Sequence, residues 1–128
     1  MKYLLDTHAF LWFILDDAQL STMARDLIID EQNDIFLSPA SYWELAIKIS
    51  IGKYQLPGPF VPFLHQQIDL NDFTILPITV EHAGMVASLP YHHRDPFDRM
   101  IIAQALVEGM IVFSNDGMMD QYGVNRSW

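Results

Sequence analysis

The chain has 128 residues, which fits one domain and leaves little room for a second. Its 51% hydrophobic content excludes a disordered chain, and the absence of cysteine excludes disulfides and thiolate metal sites. A net charge of −9 with only seven Lys and Arg argues against binding of nucleic acid through a basic face. It leaves open a substrate that is not a polyanion, local neutralisation by metal ions and a few arginines, or a basic protein partner.

Asp6 interrupts the apolar run at the start of the chain, so a signal peptide is not expected there. No apolar run approaches the ~18 residues of a membrane span, so a soluble, cytoplasmic protein is the expectation. Tyr3-Leu4-Leu5 reads as a buried strand ending at Asp6. Thr7 offers an N-cap for a short helix from His8 to Leu15, and Ser21 one for a helix to Glu31. Ile35-Phe36-Leu37 reads as the second strand. Ser38-Pro39 then opens a helix that runs to about Ser50 and stops at Gly52. A Pro- and Gly-rich loop leads to a helix over Phe60 to Leu70, followed by a strand from Phe73 to Ile78. Thr79 caps a helix to about Ser88. Asp95-Pro96 opens the longest helix, which ends near Gly109. Met110 to Phe113 is a further strand, Ser114 to Gly117 a turn, and the tail after Tyr122 an edge strand.

Strands alternating with helices imply an α/β fold with a mostly parallel sheet over a single domain, residues 1–128. Reactive groups in such folds lie beyond the carboxyl ends of the strands. Asp6 and Asp116 follow strands directly, and Glu44 and Asp98 lie early in helices that can face the same edge. Each has an ordinary reading as well. Asp6 can cap a helix. Glu44 can pair with Lys48 on a solvent face, although Ala40, Ile47 and Ile51 share its helical stripe. Asp98 can stabilise a helix dipole, although Ile101, Ile102 and Ala105 share its stripe while Gln104 and Glu108 mark a polar side. Asp116 can serve the Asn-Asp-Gly turn, and Asp95 is foremost an N-cap. Together the four carboxylates repel unless a cation sits among them, which points to Mg²⁺ or Mn²⁺ and to metal-assisted phosphodiester hydrolysis. Trp12 and Trp43 read as core, and His92-His93-Arg94 as a solvated loop beside the site.

Several stretches are similar to a known family. Leu4-Leu5-Asp6-Thr7-His8-Ala9 with Leu11-Trp12, Ser38-Pro39-Ala40-Ser41-Tyr42-Trp43-Glu44-Leu45, His93 to Ala105, and Ser114-Asn115-Asp116 resemble the PIN-domain ribonucleases, specifically the VapC-like toxins of bacterial toxin–antitoxin pairs. The resemblance covers essentially the whole chain. It implies a three-layer α/β/α sandwich around a parallel sheet and Mg²⁺- or Mn²⁺-dependent endonucleolytic cleavage of RNA. It implies a catalytic and metal-binding set of Asp6, Glu44, Asp98 and Asp116, with Asp98 matching the third acidic position better than Asp95 does. Thr7, Ser38 and Asp95 are implied as supporting residues, and Arg94 and Arg99 are candidate RNA contacts. It also implies a homodimer and a cognate VapB-like antitoxin whose basic segment suits the acidic surface. A non-cleaving PIN-like binding module is the alternative. A haloacid-dehalogenase-like phosphohydrolase fits less well, because position 8 is His where a second Asp is needed and no lysine follows Lys53. A receiver-type signalling module lacks its late lysine for the same reason.

Overall fold

The computed structural model describes residues 1–128. The elements, in chain order, are β1 (Lys2–Leu5), α1 (Thr7–Ile14), α2 (Thr22–Ile29), β2 (Asp34–Leu37), α3 (Pro39–Ser50), α4 (Phe60–Leu70), β3 (Thr74–Ile75), α5 (Val80–Ser88), α6 (Pro96–Glu108), β4 (Ile111–Phe113), a 3₁₀ turn (Gly117–Tyr122) and β5 (Arg126–Ser127). The strands form one sheet in the order β3-β2-β1-β4-β5, and every neighbouring pair is parallel. No helix is long and apolar enough to cross a membrane.

Alternation along β1 divides the interior. Tyr3 and Leu5 point into a core built with α1, α2 and α4, including Phe10, Ile14, Ile28 and Leu64. Leu4 points to the other face, against Ile101, Ile102 and Ala105 of α6. Helix α3 serves both sides, with Leu45 in the first core and Ala40 in the second. The result is the expected α/β/α sandwich. Strands β2 and β3 extend the sheet on one side of β1 and β4 and β5 on the other, so the order reverses at the β1–β4 boundary. The carboxyl edge at that boundary is where a crevice opens in folds of this kind. Gly109 closes α6 in the left-handed region at φ 67°, where a residue with a Cβ is strained.

Several boundaries differ from the sequence reading. Helix α1 begins at Thr7 with Asp6 as its N-cap, because the Asp6 carboxylate reaches the Ala9 N–H at 2.7 Å. Helix α2 stops at Ile29, two residues short of Glu31. Strand β3 is only two residues long. The Leu76 N–H still donates to Leu37 O at 2.9 Å, but Pro77 has no N–H with which to continue the ladder. Gln104 does not mark a polar side. It is fully buried and donates to Leu76 O at 3.1 Å, while Glu108 pairs with buried His82 at 3.0 Å. Trp43, read as core, is 61% exposed.

Phe10 has no solvent exposure and packs edge-on to Phe73 at a ring separation of 6.3 Å. Phe10→Ala is expected to cost about 4 kcal/mol of unfolding free energy, measured by urea denaturation.

Candidate metal centre

Three of the acidic groups sit at the amino ends of helices or of the 3₁₀ turn, fixed by main-chain amides. Asp6 follows β1, its own N–H donates to Phe113 O of β4 at 3.1 Å, and its Oδ1 caps α1. Asp95 caps α6 by accepting from Phe97 N–H at 2.8 Å and Asp98 N–H at 3.3 Å. Asp116 caps the 3₁₀ turn through Met118 N–H at 3.0 Å. Asp98 lies in the first turn of α6. Helix α3 begins at Ser38-Pro39 and carries Glu44 on its buried face with Ala40, Ser41 and Leu45.

The structure gathers Glu44, Asp95 and Asp98 most tightly: one carboxylate oxygen of each lies within 4.8 Å of the others. Asp6 stands next to them, close enough for its charge to act on Asp98. Asp116 lies beyond Asp6 and acts on it in turn. The quartet therefore shares one edge, but Asp95, expected only to support it, belongs to the tightest group. Glu44 is 4% exposed and its Oε2 pairs with Lys48 at 3.2 Å, so the ordinary i, i+4 pair and the inward carboxylate coexist. The apolar stripe inferred for Glu44 does not explain its burial, since Ile47 and Ile51 are exposed. Its Oε1 is buried with no hydrogen-bond partner. An unpaired carboxylate oxygen there carries a desolvation cost that a cation would remove. The donors are all hard oxygens, the ligand type that suits Mg²⁺ or Mn²⁺.

Burial, then Asp95, Glu44 and Asp6, push the Asp98 carboxyl up to about 7, with His93 acting in the opposite sense. Burial also raises Asp6, partly offset by the Ser114 hydroxyl and the Ala9 N–H. Burial works against the Lys48 charge, but Glu44 beside it more than compensates and raises the ammonium above its ordinary value.

The supporting residues act through the elements they fix. Thr7 is buried, with its hydroxyl 3.4 Å from that of Ser41, which ties α1 to α3. Ser38 is fully buried and caps α3 through Ala40 N–H at 3.1 Å. Arg94 is exposed in the loop before Asp95. Arg99 is not placed to touch RNA, contrary to expectation. It is buried and donates to Pro90 O, Val86 O and Leu89 O at 2.9 to 3.3 Å, closing the end of α5 against α6. Two residues escaped the sequence reading. His93, taken for solvated loop, turns inward with its side chain 10% exposed and hydrogen-bonds Asp116. Ser114 is fully buried, lies against Asp6 and accepts the Asp116 N–H at 3.0 Å. Both lie in stretches that resemble the PIN family, which gave them no role, His93 two residues before Asp95 and Ser114 directly after β4.

A parallel α/β sandwich with carboxylates gathered at the carboxyl edge beside its switch point defines the class. The chain belongs to the PIN domain family, whose model matches residues 3–125. Solved structures with the same fold include a chain of VapBC2 from Rickettsia felis bound to a promoter DNA fragment, at 15% identity and a TM-score of 0.75, covering 99% of this chain and 98% of that one. DNA-bound VapBC from Salmonella typhimurium matches at 16% identity and a TM-score of 0.74, covering 99% and 97%. FitAcB from Neisseria gonorrhoeae matches at 22% identity and a TM-score of 0.68, covering 97% and 95%. No curated protein matches the chain.

Metal-free protein is expected to lose stability as pH rises. Asp98 holds its proton more tightly folded than unfolded, so the folded state binds more protons between its ordinary value of 3.8 and about 7. Its contribution is present below that window and is lost as pH climbs through it. Thermal melting in EDTA from about pH 5 to about pH 8 checks this, with the fall shallower in Asp98→Asn and when Mg²⁺ is added. Arg99→Ala is expected to destabilise the fold by about 3 kcal/mol in urea denaturation, because it strands buried carbonyls.

Proposed function

We propose that the protein is a Mg²⁺- or Mn²⁺-dependent endoribonuclease, the toxin of a VapBC-type toxin–antitoxin pair. The observation that carries this reading is the convergence of Glu44, Asp95 and Asp98 with Glu44 Oε1 left unpartnered in the interior. Family membership and the likeness to VapBC structures support it.

In this reading Glu44, Asp98 and Asp6 hold the cation, with Asp95 as a further oxygen donor. A bound divalent ion supplies Lewis-acid polarisation of the phosphodiester and lowers the pKa of water. Asp116, at the margin of the group, adds its charge to the holding of the cation and is placed to orient the attacking water and take up its proton. Arg94, exposed in the loop directly before Asp95, offers a cation for a phosphate oxygen. The net charge of −9 suits an antitoxin with a basic segment, which would dock over the acidic edge and block it. A homodimer would join two such edges into a longer groove and offset the scarcity of basic residues in one copy. The protein acts in the cytoplasm in this account. A non-cleaving PIN-like binding module is the second reading, and the engagement of Glu44 by Lys48 favours it.

Purified protein free of antitoxin is expected to cut total cellular RNA into discrete fragments with Mg²⁺ or Mn²⁺ and not with EDTA. Asp98→Asn and Asp6→Asn are expected to slow cleavage by about a thousandfold, since metal-supplied stabilisation amounts to several kcal/mol. Hydrolysis of p-nitrophenyl phosphate in place of RNA would indicate a phosphohydrolase. Binding of RNA without cleavage by folded, metal-loaded protein would leave the binding module.

A further inference from the structure

We infer that His93 and Tyr122 are positioning residues that clamp Asp116 at the edge of the acidic group so that its charge counts toward cation binding there. The inference rests on the metal-centre reading and adds to it a pair of residues outside the acidic set.

Each polar atom around His93 has one partner that fits it. The carboxylate of Asp116 only accepts, so the imidazole Nε2 that meets its Oδ2 carries the hydrogen. The other ring nitrogen, Nδ1, lies 3.0 Å from the Tyr122 hydroxyl. The Tyr122 oxygen in turn accepts the His92 N–H at 3.0 Å. A single chain of hydrogen bonds therefore runs from His92 N–H through Tyr122 and His93 to Asp116. The ring also packs against Tyr122 at 5.5 Å between centroids, and only 10% of the His93 side chain reaches solvent. Both ring nitrogens are engaged. A general-base role for His93 would need one of them free to face substrate, so the geometry favours positioning over proton transfer.

Asp116 is held from two further directions. Its Oδ1 accepts Met118 N–H at 3.0 Å, and its N–H donates to Ser114 Oγ at 3.0 Å. Ser114 also lies against Asp6, so Asp116 is locked relative to the neighbour it repels. Without the His93 bond, repulsion from Asp6 pushes Asp116 outward and solvent at the rim draws it the same way. Hydrogen bonds of this kind to metal-binding carboxylates typically change metal affinity by about 10–100-fold.

The test is Mn²⁺ binding to the full chain, followed by calorimetry and by the loss of the free-ion electron paramagnetic resonance signal, with no RNA present. His93→Ala is expected to weaken Mn²⁺ binding by roughly tenfold or more. His93→Gln, which keeps a donor in reach of Asp116, is expected to recover most of the loss. Tyr122→Phe removes only the orienting hydroxyl, so a smaller loss is expected. In an Asp116→Asn background, itself weaker in binding, His93→Ala is expected to cost nothing more, because the partner it positions is gone. Circular dichroism and melting identify any variant that fails to fold, and Tyr122→Phe keeps the test valid if His93→Ala does so. Unchanged or tighter Mn²⁺ binding in folded His93→Ala or Tyr122→Phe would overturn the clamp, as would a His93→Ala loss that persists without Asp116. Those results would leave the metal centre standing. A parent protein that binds no Mn²⁺ would overturn the metal centre and the clamp together.

Discussion

The candidate site holds like charges together at one edge of a parallel sheet, against their repulsion. Asp6, Glu44, Asp95 and Asp98 share a partly dry space, and burial, with repulsion from the other three, raises the Asp98 carboxyl to about 7. The chain counters this with caps. Asp6, Asp95 and Asp116 each use carboxylate oxygen to bind amides at the start of α1, α6 and the 3₁₀ turn. Helix amino ends carry partial positive charge, which steadies the anions without neutralising them. Glu44 lies within α3, has no such amides and leans on Lys48. Capping and cation binding are compatible uses of one carboxylate, as in Asp95, whose Oδ1 takes both capping amides and leaves Oδ2 for a cation.

That double use explains how far the sequence could be read. The strand–helix alternation, the Ser38-Pro39 and Asp95-Pro96 starts and the Gly109 stop are local signals, and the structure carries all of them. Asp6 stood out because it directly follows β1, and Asp116 because it lies three residues beyond β4 in an Asn-Asp-Gly turn. Choosing between cap and site was the wrong question for them and for Asp95. Helical phase did not separate the sides of α6, where Arg99 and Gln104 are more buried than Asp98. Helix α6 is buried on nearly every side between the sheet, α3 and α5, so Gln104 could not be assigned a solvent face from periodicity. Trp43 lies one position from Glu44 on α3, yet it is exposed and meets Phe97 only edge-on at 5.2 Å. His93, Arg99 and Ser114 depend on contacts across the fold, 29 residues from His93 to Tyr122 for example, and no local pattern encodes them.

The distribution of positive charge sharpens the contrast with ordinary nucleic-acid binders. Arg99 is interior, Arg25 pairs with Asp16, Lys48 with Glu44, and Arg126 with Asp120. Lys2, Lys53 and Arg94 remain outside ion pairs, and they do not form a basic face. Attraction for a polyanion must come chiefly from a cation held at the acidic edge, from a second copy, or from stacking and shape rather than from phosphate neutralisation. The same scarcity makes the acidic edge a natural target for a basic inhibitor.

Crystals grown with Mn²⁺, measured at the manganese absorption edge, test the central claim most directly. The account predicts an anomalous peak among Glu44, Asp95 and Asp98 on the side facing Asp6, and its loss in Asp98→Asn. A well-diffracting crystal with no peak there, or with its peak among Asp30, Asp34 and Asp72 at the opposite edge of the sheet, would contradict it.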